Sequence, residues 1–328
     1  MTNTIPPRAL PTDPLWPRTG GWQDLTAAGP GPIDLAVVGI PTSQTSLSPT
    51  NAHLTPAAVR EALRRYSSHL AAPGEPDVLG TVGGRGREAE IVLDEALRIV
   101  DAGDLADPDS EQGELLAATA VGQLAKRSEL VVALGGDNAL TVPATLGVAG
   151  DALPIAGLIT LDAHHDLRDG RSNGSPVRRL VEAGLDPRHI VQIGIADFAN
   201  SRAYRERAKQ WGITVIHRDE LFDRPLREIA AEALAIAGAG GGPIHVDLDV
   251  DVCDRSVAPG CPASIPGGIQ AHELRAFART FAADPRVRGI DIAEVDASAD
   301  APDGRTVRLA ALCVLEAAAG LAQRLSHG

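Results

Sequence analysis

A chain of 328 residues with 44% hydrophobic content can bury a core for one large α/β domain or two smaller ones, and it lies far from disorder. A net charge of −13 and a pI near 5.1 argue against a nucleic-acid surface and an anionic-membrane partner, and favour a cationic or small polar substrate. Three cysteines, Cys253, Cys261 and Cys313, show no metal-type pairing and read as reduced cytosolic thiols. No segment approaches the roughly 18 apolar residues of a membrane span. The start carries Pro6, Pro7 and Pro11 instead of a basic-then-apolar signal, so a cytoplasmic protein is expected.

Residues 1–32 are rich in Pro and Gly and read as an arm ahead of one domain over 33–328, with Trp16 and Trp22 as packing anchors. Residues 33–40 form a buried-strand candidate, followed by a hydroxyl-rich loop to Asn51. Thr55 caps a helix, with Pro56 at its first position and Arg60, Arg64 and Arg65 on a solvated or subunit-facing side. The stretch 68–90 is irregular, 91–102 mixes helix and strand signals, and Asp101 to Asp104 reads as a turn. A helix over 111–125 leads to a strand over 130–134 that ends in Gly135-Gly136-Asp137-Asn138, where two glycines allow close backbone approach.

The apolar run 155–161 is a buried strand that delivers Asp162-Ala163-His164-His165-Asp166 at its C-terminal end. Asp162 and His164 stand two apart, so on a strand they share a face, and Asp166 follows on the turn. Oxygen and imidazole donors together suit Mn, Fe, Ni or Zn. The polar turn Ser172 to Pro176 opens a helix over 177–183, and a strand over 190–195 places Asp197 beyond its end. Helix 201–211, strand 213–216 and helix 225–237 follow. In the strand 244–249, His245, Asp247 and Asp249 alternate with Val246 and Leu248. One face is thus polar and one buried, and two carboxylates on one face at a strand end need a neutralising partner, for which a cation is the natural one. Asp251 and Asp254 then lead to Ala258-Pro259-Gly260. A helix over 271–283, a strand over 289–292 with Glu294 and Asp296 past its end, and a helix over 306–324 complete the chain.

Strands alternate with helices throughout, which predicts a parallel sheet covered on both faces. Asp137, Asp162, His164, Asp166, Asp247, Asp249 and Glu294 all lie at predicted strand ends, and such ends share one edge. Several carboxylates around one point can hold two divalent ions and activate water for attack on a planar carbon. A phosphate cradle is the competing idea, but the glycine pattern lacks the expected Lys and spacing.

These segments resemble the three signature regions of the ureohydrolase family, which comprises arginases, agmatinases, guanidino-acid hydrolases and formimidoylglutamases. The segments are Gly135 to Asn138, Asp162 to Asp166, and Asp247 to Asp249 with Ala258 to Gly260. Gly39-Ile40-Pro41 with Thr55-Pro56, and Gly289 to Val295, resemble its opening unit and late strand. The resemblance implies an arginase-like, three-layer α/β/α fold with a central, mostly parallel sheet of about eight strands. It also implies a trimer or hexamer and two Mn2+ per subunit, with Ni2+, Fe2+ or Zn2+ as alternatives.

Carried over, Asp162 and Asp247 would bridge two ions, Asp166 and Asn138 would complete one shell, and His164 and Asp249 the other. Position 138 is His in most of the family. Asn is a weaker donor, so the first ion is held more loosely unless His165 or His245 helps. Glu294 would hold the cationic nitrogens and Asp166 would move the proton. Asn173 and Ser175 sit in a loop like that of formimidoylglutamases, and Arg168, Arg171, Arg178 and Arg179 form a basic rim suited to a substrate carboxylate. Asn173, Ser175, Arg171, Asp197 and Glu294 make up the substrate-binding set. The implied reaction is hydrolysis of N-formimidoyl-L-glutamate to L-glutamate and formamide, in histidine breakdown. A guanidino-acid hydrolase or agmatinase releasing urea comes second. A non-catalytic homologue with a site weakened at Asn138 is the reading from another class.

Overall fold

The computed structural model describes residues 13–70 and 90–326. Nine strands form one sheet: β1 (Gln23–Asp24), β2 (Ile33–Ile40), β3 (Ile99–Asp104), β4 (Ser128–Gly135), β5 (Gly157–Leu161), β6 (Ile190–Ile195), β7 (Thr214–His217), β8 (Ile244–Asp249) and β9 (Val287–Ala293). Their order is β1-β3-β2-β4-β9-β8-β5-β6-β7, and every pairing is parallel. The main helices are α1 (Thr55–Leu63), α2 (Glu111–Ala125), α3 (Thr141–Ala149), α4 (Pro176–Ala183), α5 (Arg202–Trp211), α6 (Leu226–Ala237), α7 (Ala271–Ala283) and α8 (Arg305–Ser326).

The buried strands are near-continuous apolar runs because helices cover both faces, which is what a parallel sheet requires. On one side α1, α6, α7 and α8 pack on Leu35, Val37, Leu130, Val132 and their neighbours. On the other, α2 and α3 pack on Ala36, Val38, Val131 and Ala133, while α4 and α5 extend that layer over Leu158 and Ile190. The three-layer α/β/α arrangement matches expectation, with nine strands where about eight were expected.

The extra strand comes from the arm. Gln23 and Asp24 pair with Val100 and Asp101, so part of residues 1–32 joins the sheet edge. Trp22 packs on the core and its Nε1 donates to Asp94 Oδ1 at 2.9 Å, whereas Trp16 is 55% exposed and does not join the described hydrophobic core. Asp101 to Asp104, expected as a turn, closes β3: pairing with β2 carries the strand through Gly103, which takes φ +74°. Thr55 is itself the first residue of α1, and its hydroxyl donates to the Val295 carbonyl beyond β9. The tertiary bond displaces the expected cap.

α8 has the length and apolarity of a membrane span, against the sequence expectation, but 83% of its apolar window is buried inside the protein. It lies along α7, and Glu316 on α8 takes Arg275 at 2.6 Å and Arg279 from that helix. Gly320 makes this approach possible: a Cβ there would stand 2.2 Å from the Arg279 carbonyl oxygen. Gly320→Ala must push the two helices apart, and a loss of about 1–3 kcal/mol is expected in urea unfolding.

Candidate active site

The strand order puts β9 and β8 between β4 and β5, so the C-terminal ends of four central strands meet at the point where the chain reverses its direction of winding. Asp137 and Asn138 follow β4, Asp162 to Asp166 follow β5, Asp249 ends β8, and Glu294 follows β9. Close approach is secured by glycine. A Cβ on Gly136 would meet the Thr42 backbone at 2.2 and 2.3 Å, and the Gly136 carbonyl accepts from Glu294 N at 2.9 Å.

Two of these residues hold left-handed backbone, Asp166 at φ +52° and Glu294 at φ +62°. Non-glycine residues adopt it at an energetic cost and cluster where function fixes the geometry. Both are buried.

At the centre stand Asp162, His164 and Asp251, each with a ligand atom within 4.8 Å of the others'. His164 Nδ1 lies 2.7 Å from Asp251 Oδ2 and 3.5 Å from Asp162 Oδ1. The backbone locks the set: Ala163 N donates to Asp251 Oδ1 at 2.8 Å, His164 N to Asp162 Oδ1 at 2.6 Å, and Asp251 N to Asp249 Oδ1 at 2.8 Å. Asp251 escapes the sequence reading because that reading assigns both ligands of this segment to the strand itself. β8 stops at Asp249, and a one-turn 3-10 segment, Val250–Val252, folds Asp251 over the edge. The continuing alternation His245, Asp247, Asp249, Asp251 is the signal that could have found it.

Asp247 sits deeper. It is registered opposite Asp291 on β9, whose carboxyl adds to burial in raising its pKa, while Asp291 Oδ2 lies 2.7 Å from His245 Nε2. His245 therefore reaches Asp247 through Asp291. His165 points away from the cluster, into Gln192 at 2.7 Å.

Asn138 meets Asp166 through its amide nitrogen, Nδ2 to Oδ2 at 2.6 Å, while its Oδ1 accepts from Thr141 Oγ1 at 2.8 Å. Its backbone N–H donates to Glu294 Oε1 at 2.8 Å, and Asn173 Nδ2 donates to the same oxygen at 2.7 Å. Asn173 therefore stands in the site. Ser175 is spent within its own loop, on the Ser172 amide and carbonyl. Arg171 turns to the Asp109 carbonyl and to Glu114, and Asp197 is exposed on the loop beyond β6, away from the cluster.

Electrostatics test whether these residues suit a cation. Burial pushes Asp162 up to about 7 and Glu294 to about 8, each aggravated by a neighbouring carboxylate. Asp166, Asp247 and Asp249 rise well above the usual carboxylate range for the same reasons. Burial opposes a charge on His164, yet Asp251 and Asp162 raise it to about 12, while its positive charge helps hold Asp251 low against burial. A proton on His164 thus does part of what a divalent ion would do. Oxygen-rich donors with one imidazole, too many to ionise together unaided, fit divalent metal.

A family model described as "Arginase family" matches residues 33–320. The chain is 32% identical over 306 residues to a formimidoylglutamase of Bacillus subtilis (strain 168), covering 92% of this chain and 89% of that protein. The crystal structure of formimidoylglutamase from that bacterium superposes with a TM-score of 0.80 at 27% identity, covering 98% and 96% of the two chains. A Trypanosoma cruzi formiminoglutamase solved with Mn2+ shares the fold, with a TM-score of 0.76 at 21% identity over 89% of this chain and 94% of that one.

The raised carboxyls give a signed pH dependence. Asp162 and Glu294 bind protons more tightly folded than unfolded, so their contribution falls as pH rises from about 4 towards 7 and 8. His164, raised from 6.5 to about 12, stabilises fully below 6.5 and loses that contribution above it, in the same direction. Thermal melts of chelator-treated protein should show a lower midpoint at pH 8 than at about pH 5.5. Adding Mn2+ should shrink the difference. A midpoint rising with pH in chelator would contradict the assignment.

Proposed function

The chain belongs to the arginase family, and on that premise we propose that it hydrolyses the C–N bond of a linear amidine, N-formimidoyl-L-glutamate, giving L-glutamate and formamide in histidine breakdown. The observation that carries the reading is Glu294. It is buried, held in left-handed backbone, and among the described residues its carboxylate accepts only at Oε1, from Asn138 and Asn173. Its other oxygen is left for the N–H groups of an amidinium, which it binds by charge-assisted hydrogen bonds.

The residues that would hold metal are Asp162, His164, Asp166, Asp249 and Asp251. Asp251 takes the role that the family resemblance implied for Asp247, because it is Asp251 that gathers with Asp162 and His164. Divalent ions bound there, Mn2+ by preference, supply Lewis acidity that makes water nucleophilic near neutral pH. Asp166 takes the proton of the attacking water and returns it to the leaving nitrogen. Asn138 orients Asp166 by the 2.6 Å bond and hands Glu294 a backbone donor. Asp247, Asp291 and His245 support the strand end from below. Two ions per subunit, a homo-oligomer and a cytoplasmic location belong to the same reading, and three buried free thiols accord with a reducing compartment.

The discriminating assay offers formimidoylglutamate, 4-guanidinobutyrate, agmatine and arginine to Mn2+-loaded protein. Release of formamide with glutamate is expected; urea release would move the substrate to a guanidino acid, and no turnover with any metal would sink the catalytic reading. Among variants, Asp251→Asn should lose bound manganese by elemental analysis and lower kcat at least about 100-fold, as loss of a direct metal ligand does. Asp247→Asn should keep the metal. The reverse order would restore Asp247 as the ligand. Asn138→His should tighten manganese in competition with a chelator if position 138 can reach the ion; an unchanged affinity would leave it an orienting residue only.

A further inference from the structure

We propose that Arg218 is a positioning residue of the metal centre, its buried guanidinium clamping the turn that carries Asp251; the inference rests on the metal-dependent hydrolase reading above and adds a residue that acts on the ligands from behind. Arg218 follows β7 directly, and its backbone is fixed on both sides. Its N–H donates to the Ile195 carbonyl at 3.0 Å, and its own carbonyl accepts from Leu221 N at 3.1 Å. The side chain then reaches back along the sheet edge. Nε donates to the Gly194 carbonyl at 3.3 Å, and Nη2 to the carbonyls of Asp251 at 3.4 Å and Val252 at 3.3 Å. β6 and β8 are not neighbours, since β5 runs between them. One guanidinium therefore ties the end of β6 to the turn after β8, across the strand that delivers Asp162 and His164.

Arg218 is 6% exposed, forms no ion pair among the described residues, and its Nη1 is buried there without a hydrogen-bond partner. A buried cation left this short of partners is costly. Burial pulls its pKa below the ordinary value, and Asp251 and Asp162 are the largest opposing influences. An arginine keeps its proton all the same. Its charge is thus balanced by the carboxylate cluster taken together. Each carbonyl contact is long for an N–H···O bond, so no single one accounts for the residue. A planar fork that meets three carbonyls at once does, and the compact ammonium of lysine could not span them.

The backbone beside it is shaped for the same contact. Gly194 takes φ +97°, and a Cβ there would stand 2.5 Å from Val252 Cγ2. The turn is seated against β6 by a missing side chain and held there by Arg218. It needs holding, because Val250–Val252 is a single 3-10 turn, and such turns have poorer hydrogen-bond geometry than an α-helix. Within it, Cys253 N reaches the Val250 carbonyl at 3.1 Å, and Asp251 N turns to Asp249 Oδ1 at 2.8 Å. Asp249 and Asp251, which would hold metal, lie at the start of this turn and inside it, so its displacement moves both.

The test compares the full chain with its Arg218→Met and Arg218→Lys variants, with thermal midpoints in chelator as the check on folding. Met keeps the bulk and removes fork and charge, while Lys keeps the charge without the fork. Hydrogen exchange of the metal-free proteins reads the turn itself. In Arg218→Met the Asp251 and Cys253 amides are expected to exchange about tenfold faster, the loss of one charge-assisted hydrogen bond, with the amides of β2 and β4 unchanged. Manganese competition with a chelator reads the consequence. Affinity is expected to fall about 10- to 100-fold, as for other outer partners of metal ligands. For formimidoylglutamate, kcat should fall by a similar factor while KM stays within about twofold. Arg218→Lys should recover only part of each effect, and it decides alone if Arg218→Met does not fold. Unchanged exchange at the two amides overturns the inference, and so does manganese affinity that is unchanged or tighter in Arg218→Met. Full wild-type affinity in Arg218→Lys also overturns it, since charge alone would then suffice. If the wild type binds no manganese, the metal reading fails, and the exchange measurement alone decides the clamp.

Discussion

The constraint on which the rest of the molecule depends is the burial of like charges at one sheet edge. Asp162, Asp166, Asp249, Asp251 and Glu294 are all buried, and carboxylates withdrawn from water in close company cannot ionise together without compensation. The protein supplies part of that compensation itself. Backbone amides meet Asp162, Asp249, Asp251 and Glu294, and the His164 imidazolium pairs with Asp251. What remains uncompensated is what suits this edge to a divalent ion under the proposed function. The strands below it are apolar and buried at Val246, Leu248, Ile290 and Ile292, which withdraws the carboxylates from water.

A second layer of acids sits beneath the first. Asp247, Asp291 and His245 form a buried column between β8 and β9, and Asp247 Oδ1 and Asp291 Oδ1 have no hydrogen-bond partner among the described residues. Groups of this kind are costly in a hydrophobic sheet. They lie one pleat below Asp249, and in the proposed function they orient the strand end that would hold metal, as the outer partners of metal ligands do.

Much of this was legible in the sequence because strand ends are marked by where apolar runs stop. Asp162, His164, Asp166 and Glu294 follow runs that end sharply, and each lies where that rule puts it. Asp251 was not legible because alternation runs on past the end of β8, and nothing in residue type tells where the ladder stops and the 3-10 turn begins. Asp101 to Asp104 was misread for the opposite reason: Asp and Gly favour turns locally, but pairing with β2 overrides that preference. The fate of Arg171 and Ser175 depends on partners distant in sequence or on the loop's own closure, Glu114 and Ser172, which composition cannot rank.

The strand order carries a further consequence, for how the molecule comes into being. β8 and β9 are late in the chain, yet they occupy the middle of the sheet, between β4 and β5. While the nascent chain is still being made, the first seven strands can form only two separate ribbons with raw inner edges. Neither ribbon holds the whole carboxylate cluster, since Asp249, Asp251 and Glu294 have not yet been synthesised. Folding of the centre must await the carboxyl-terminal third, and long-range parallel pairing of this kind is slow and exposes unpaired edges meanwhile. The feature that concentrates the chemistry at the sheet's midline thus also makes the newborn chain dependent on being finished before it can be safe.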